Sequence, residues 1–88
     1  MLDLGAGSAR SLRAGSMDLA VANIDALVLA DLLDEIARVL SPGGRTVLGG
    51  FTSAETVRLT KPLAAVRLTV MDVLARNEWV CLIAKAEA

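Results

Sequence analysis

The side chain best placed for chemistry is a lone amide. Asn23 closes the apolar run Leu19-Ala20-Val21-Ala22. If that run is a parallel strand, Asn23 stands at its carboxyl edge, where open α/β sheets bind ligands. An amide there both accepts and donates hydrogen bonds. The plainer reading is a strand-end Asn bonded to its own loop. A second group is Gly5-Ala6-Gly7-Ser8. Glycines in such a loop remove the Cβ that keeps backbone N–H groups away from a ligand. They equally make an ordinary flexible turn. Asp25 either brings a charge to the site or caps the helix after it. Asp31, Asp34 and Glu35 form no metal set and read as a solvated helix face. The chain has no histidine. That excludes Ser-His-Asp triads, Cys-His dyads and histidine-ligated metals. Cys81 is the only cysteine and reads as a small buried hydrophobe. Trp79 reads as core or interface.

These residues need elements to hold them. Residues 1–4 read as a strand, 5–8 as a turn, and 8–14 as a short helix or an irregular loop. Residues 18–23 form a strand without polar interruption from Leu19 to Ala22, the pattern of a strand covered on both faces. The spacing of Leu29, Leu32, Leu33, Ile36, Ala37 and Leu40 predicts a helix over 26–40. Ser41-Pro42-Gly43-Gly44 ends it as a turn. Residues 45–51 form the next strand. Thr52 and Glu55 fit a capping box for a helix over 53–60 that ends or kinks near Pro62. Val66, Leu68 and Val70 then alternate with Arg67 and Thr69 at a strand's period. Arg76-Asn77 turns the chain into a last strand over 78–85. The fold class is α/β: a partial Rossmann-like, mostly parallel sheet that ends in an antiparallel hairpin.

With these elements in order, the chain resembles a known family. Asp18-Leu19-Ala20-Val21-Ala22-Asn23-Ile24, then an amphipathic helix, then Leu40-Ser41-Pro42-Gly43-Gly44-Arg45-Thr46-Val47-Leu48, looks like the second half of a class I S-adenosylmethionine-dependent methyltransferase. The closing Asn77-Glu78-Trp79-Val80-Cys81-Leu82 is similar to the last strand of the ribosomal protein L11 methyltransferases. The resemblance implies S-adenosylmethionine as cofactor and a protein as methyl acceptor. It implies that Asn23 accepts from the target amine, so that catalysis is a matter of positioning. Ile24 then lines the pocket, and Gly5, Gly7 and Ser8 contact the donor. Asp25 departs from the apolar residue usual in the family.

Residues 1–4 admit two alignments. In one they are the family's first strand and lead into the donor loop, with Ala9 in place of a third glycine. In the other they are its third strand. The second needs no deletion and is preferred for that reason. Neither leaves a residue for the acidic group that holds the donor's ribose. The resemblance therefore implies a single truncated domain over 1–88 that is inactive by itself. The alternative is a small non-enzymatic α/β protein that acts through dimerisation or a partner chain.

Composition narrows the partners. Hydrophobic residues make up 55 % of 88 residues, more than so small a body easily buries. The net charge is −1 and the only aromatic residues are Phe51 and Trp79. A nucleic-acid binder normally carries a basic patch and stacking rings, so nucleic acid is not expected. Neither a signal pattern nor an apolar run of membrane-spanning length is present, and the expected location is cytoplasmic. If the family's first strand is missing, Leu19–Ala22 is left as an apolar edge, which either residues 1–4 of the same chain fill, with residues 5–17 as the crossover, or a second chain pairs with. The excess of apolar residues favours the second outcome, a homodimer, and is expected along that edge and on the faces that the lost neighbours would cover.

Overall fold

The computed structural model describes residues 2–4 and 13–87. Along the chain come β1 (Leu2–Leu4), β2 (Met17–Asn23), α1 (Ala26–Val39), β3 (Leu40–Thr52) and α2 (Ser53–Thr56). A 3-10 turn over Val57–Leu59, α3 (Thr60–Ala65), β4 (Leu68–Arg76) and β5 (Trp79–Ala86) follow. The five strands form one sheet in the order β1-β2-β3-β5-β4. β1 with β2 and β2 with β3 pair in parallel, while β3 with β5 and β5 with β4 pair antiparallel. This is the expected α/β sheet with its closing hairpin. The predicted turn at Gly5–Ser8 and the uncertain stretch up to residue 12 lie outside the described residues.

α1 forms where the leucine spacing placed it. The Asp25 carboxylate accepts from Leu27 N at 2.8 Å, which satisfies a free N–H of the first turn. Leu29, Leu33, Ile36 and Val39 are fully or almost fully buried. They pack on Ala20, Ala22, Leu48, Leu82 and Ala84, the residues that β2, β3 and β5 turn to the same side. Each such leucine or isoleucine contributes about 1.5–3 kcal/mol through burial. Phe51, Leu59 and Leu63 close the core at the far end.

Four local expectations change or narrow. Leu19–Ala22 is not an edge, because β1 lies beside it and pairs Leu2 with Ala20 and Leu4 with Ala22. A strand that short suffices to take up the backbone groups that would otherwise face solvent. β1 thus occupies the place that the resemblance gives to the family's first strand. Second, Ser41-Pro42-Gly43-Gly44 is not a separate turn. It forms a bulge inside β3, between the pairs Met17–Leu40 and Leu19–Arg45. Gly43 there has φ 78°, open to glycine at no steric cost, and Pro42 has no N–H to leave unpaired. Third, of the end or kink expected near Pro62, the structure takes the kink. The chain tightens to 3-10 at Val57–Leu59 and restarts, so that Pro62 falls in the first turn of α3, where an N–H would be free anyway. Fourth, the last hairpin's first strand begins at Leu68 and not at Val66. Arg67 takes φ 60° and its N–H bonds Ala64 O at 3.1 Å, as a helix C-cap.

The capping box of α2 is complete. Thr52 Oγ1 accepts from Glu55 N at 3.4 Å, and Glu55 Oε1 accepts from Thr52 N at 2.9 Å. Thr52→Ala is expected to cost about 1 kcal/mol of unfolding free energy and Thr52→Ser far less. Urea denaturation of the two variants measures the difference; equal losses would contradict the capping role.

Candidate functional site

Because β2 and β3 run in parallel, both deliver their last residues to one edge of the sheet. Asn23 ends β2 directly opposite Gly49. The ladder continues one residue further, with Ile24 N donating to Gly49 O at 3.1 Å. Gly50 then turns away with φ 92°. A Cβ on Gly50 would sit 2.7 Å from Asn23 Oδ1 and 3.0 Å from both Ile24 N and Ile24 O. The strand end of β3 therefore closes directly on the Asn23-Ile24 segment, and only glycine fits there. Asp25 is spent on its cap of α1, the plainer of its two readings. β1 also ends at this edge, since Leu4 lies opposite Ala22.

Two clefts meet at Asn23. One, of about 460 Å³, lies past the strand ends and is lined by Asn23, Ile24, Asp25, Gly50 and Trp79. The other, of about 430 Å³, lies on the sheet face opposite α1. Val21, Val47, Leu74, Arg76 and Cys81 line it together with Asn23, Gly50 and Trp79. Asn23 is exposed and its amide is open to both. Trp79 is 53 % exposed, so it is not core; it forms the wall between the clefts. The register explains why, since Trp79 pairs with Thr52 past the point where α1 covers the sheet. Cys81 is half-buried, on the less covered face.

The structure thus brings Asn23 and Ile24 together in one cleft. Gly5, Gly7 and Ser8 lie outside the described residues. Sequence reasoning missed Gly49, Gly50, Arg76 and Trp79 as site residues. A signal existed for two of them: the pair Gly49-Gly50 stands at the end of an apolar strand, as Asn23-Ile24 does. Among the described residues no group of three or more His, Cys, Asp or Glu could hold a metal ion. No described helix is long and apolar enough to cross a membrane.

Comparison with known proteins gives consistent results. A family profile described as ribosomal protein L11 methyltransferase (PrmA) matches residues 1–87. A ribosomal protein L11 methyltransferase of Gloeobacter violaceus is 32 % identical over 82 residues, which is 93 % of this chain and 26 % of the relative. That of Desulforapulum autotrophicum is 40 % identical over 68 residues, 77 % of this chain and 22 % of the relative. The chain spans about a quarter of the length of these relatives. The crystal structure of a ribosomal protein L11 methylase from Lactobacillus delbrueckii superimposes with TM-score 0.75 at 24 % identity, covering 81 % of this chain and 37 % of that one. A didemethyltoxoflavin methyltransferase of Burkholderia thailandensis, solved with S-adenosylhomocysteine, gives 0.70 at 19 %, covering 94 % and 50 %.

The closeness of Gly50 to Asn23 carries a prediction. Gly50→Ala combines a disfavoured φ with overlap on the neighbouring backbone, and is expected to cost about 1–3 kcal/mol. A Cβ on Gly49 meets nothing nearer than 3.9 Å, so Gly49→Ala is expected to cost less than about 1 kcal/mol. Denaturation midpoints of the two variants decide; similar losses would show that the close approach is unimportant.

Proposed function

The chain belongs to the ribosomal protein L11 methyltransferase family and carries part of the class I methyltransferase fold, and we propose that its edge at Asn23 is the methyl-acceptor side of such a site. The observation that supports this reading is the exposed Asn23 amide, closely approached by Gly50 at the meeting of two clefts. In this reading Asn23 Oδ1 accepts from an N–H of the acceptor amine and turns the nitrogen lone pair towards the donor. The donor is S-adenosylmethionine. Its methyl group passes from the sulfonium sulfur to the amine nitrogen, the sulfur becomes a neutral thioether, and the nitrogen gives up a proton to solvent. Asn23 moves no proton itself; its contribution is orientation. Ile24 lines the cleft, and Gly5, Gly7 and Ser8 approach the donor. The acceptor is a protein amine, and the setting is cytoplasmic.

These residues offer no carboxylate for the donor's ribose, so the 88-residue chain by itself is read as a domain fragment without turnover. Its partner is a second copy of the same chain, for which the exposed apolar strand β4 speaks. Its Val70, Met71, Val73 and Leu74 are 41–55 % exposed.

Two measurements test this function. Calorimetric titration of the 88-residue chain with S-adenosylmethionine is expected to show no binding tighter than about 100 μM, or about −5.5 kcal/mol. Tighter binding that is lost in Asn23→Ala would overturn the reading of an inactive fragment. In a chimera, residues 1–87 replace the matching segment of the Gloeobacter violaceus relative. That chimera is expected to methylate ribosomal protein L11, and Asn23→Ala within it to lower kcat about 100-fold. Full activity of that variant would remove Asn23 from the site.

A further inference from the structure

Among the described residues β4 is the outermost strand of the sheet and pairs with β5 alone. Past a bulge at Met71 its register is regular: Asp72, Val73, Leu74, Ala75 and Arg76 lie opposite Ile83, Leu82, Cys81, Val80 and Trp79. In an antiparallel ladder, successive residues point their N–H and C=O alternately towards the neighbour and away from it. The Asp72 carboxylate fixes which residues point away. Asp72 Oδ1 accepts from Val73 N at 2.9 Å, so the Val73 N–H faces the free edge. Two residues on, Ala75 faces it too, while Asp72, Leu74 and Arg76 bond inward to β5.

Residues 72, 74 and 76 share one sheet face. Asp72 and Arg76 are both exposed, and neither is in an ion pair among the described residues. From these facts we infer that β4 pairs antiparallel with β4 of a second copy, about a two-fold axis through Leu74, so that Asp72 of each chain meets the partner's Arg76. The inference rests on the homodimer reading above and names its surface.

The register follows from elimination. An axis between two residues sets an outward-facing residue against an inward-facing one and makes no ladder. An axis through Asp72 sets two carboxylates side by side. An axis through Val73 leaves Asp72 against Leu74, and one through Ala75 leaves Arg76 against Leu74. Only the axis through Leu74 matches every requirement. Val73 and the partner's Ala75 exchange their outward hydrogen bonds, Leu74 packs on the partner's Leu74, and both ends of the patch carry an opposite-charge pair. The interface is isologous, as a two-fold demands. The partner's carbonyl replaces the Asp72 carboxylate on Val73 N–H, which frees that carboxylate for the partner's Arg76. The sheet becomes continuous across both chains.

Charge reversal tests this directly. Sedimentation equilibrium at roughly 100 μM chain, suited to a contact of this small size, is expected to find a dimer. Asp72→Arg and Arg76→Asp are each expected to weaken it on the order of 10-fold, because each creates two like-charge pairs across the strands. The double variant restores both pairs in reverse and is expected to recover the dimer. Ala75→Pro removes an outward N–H that the monomer leaves free, and is expected to abolish the dimer with the circular dichroism of the fold unchanged. A monomeric parent chain would overturn both the homodimer reading and this interface. A dimer indifferent to the single reversals, or not recovered in the double variant, would overturn this interface and leave the homodimer to another surface.

Discussion

Two parallel neighbours cannot be joined by a tight turn, because the chain must return to the starting edge before the second strand begins. Between Asn23 and Arg45 that return is made by α1, which crosses one face of the sheet with Leu29, Leu33 and Ile36 buried beneath it. The crossover fixes what the site needs. It brings the ends of β2 and β3 to the same edge, sets Asn23 against Gly49, and leaves the start of α1 to be capped by Asp25. Without the parallel pair, Asn23 would be an ordinary loop residue.

The same crossover makes the sheet two-sided in an unequal way. On the helix side Ala20, Leu48, Leu82 and Ala84 are almost wholly buried, together with Thr46, whose hydroxyl has no hydrogen-bond partner among the described residues. On the other side Val21, Val47, Cys81 and Ile83 are only half-buried, and no described helix covers them. The high apolar content thus has a location. It lies on this face and along β4, where Val70, Met71, Val73 and Leu74 stand exposed. Of the two places expected for it, the open sheet face is where it lies, and the Leu19–Ala22 edge is not, because a strand of three residues, β1, fills that place.

Much of the fold was legible in the sequence. The heptad-like leucines of α1 and the Thr52–Glu55 box carry their own geometry, since helix faces and caps depend on residues three and four apart. The family was legible too, through Asn23-Ile24, Pro42-Gly43-Gly44 and Glu78-Trp79-Val80. A helix end at Pro62 and a separate turn at Pro-Gly-Gly both fail for one reason. Both residue types often end an element, yet each is also tolerated where its missing N–H or missing Cβ costs nothing. Which case holds depends on neighbours far along the chain.

The sequence by itself determined the periodic elements, their order, the class of sheet and Asn23 as the amide to watch. These are local properties, written in spacings of two to four residues. Only the tertiary structure decided that Gly50 sits against Asn23 and that Trp79 and Arg76 belong to the site. Those relations join residues some 25 to 60 positions apart. They are set by strand register, in which a slip of one residue turns every side chain to the other face. No local spacing encodes that register; the packing of α1 on one side of the sheet does.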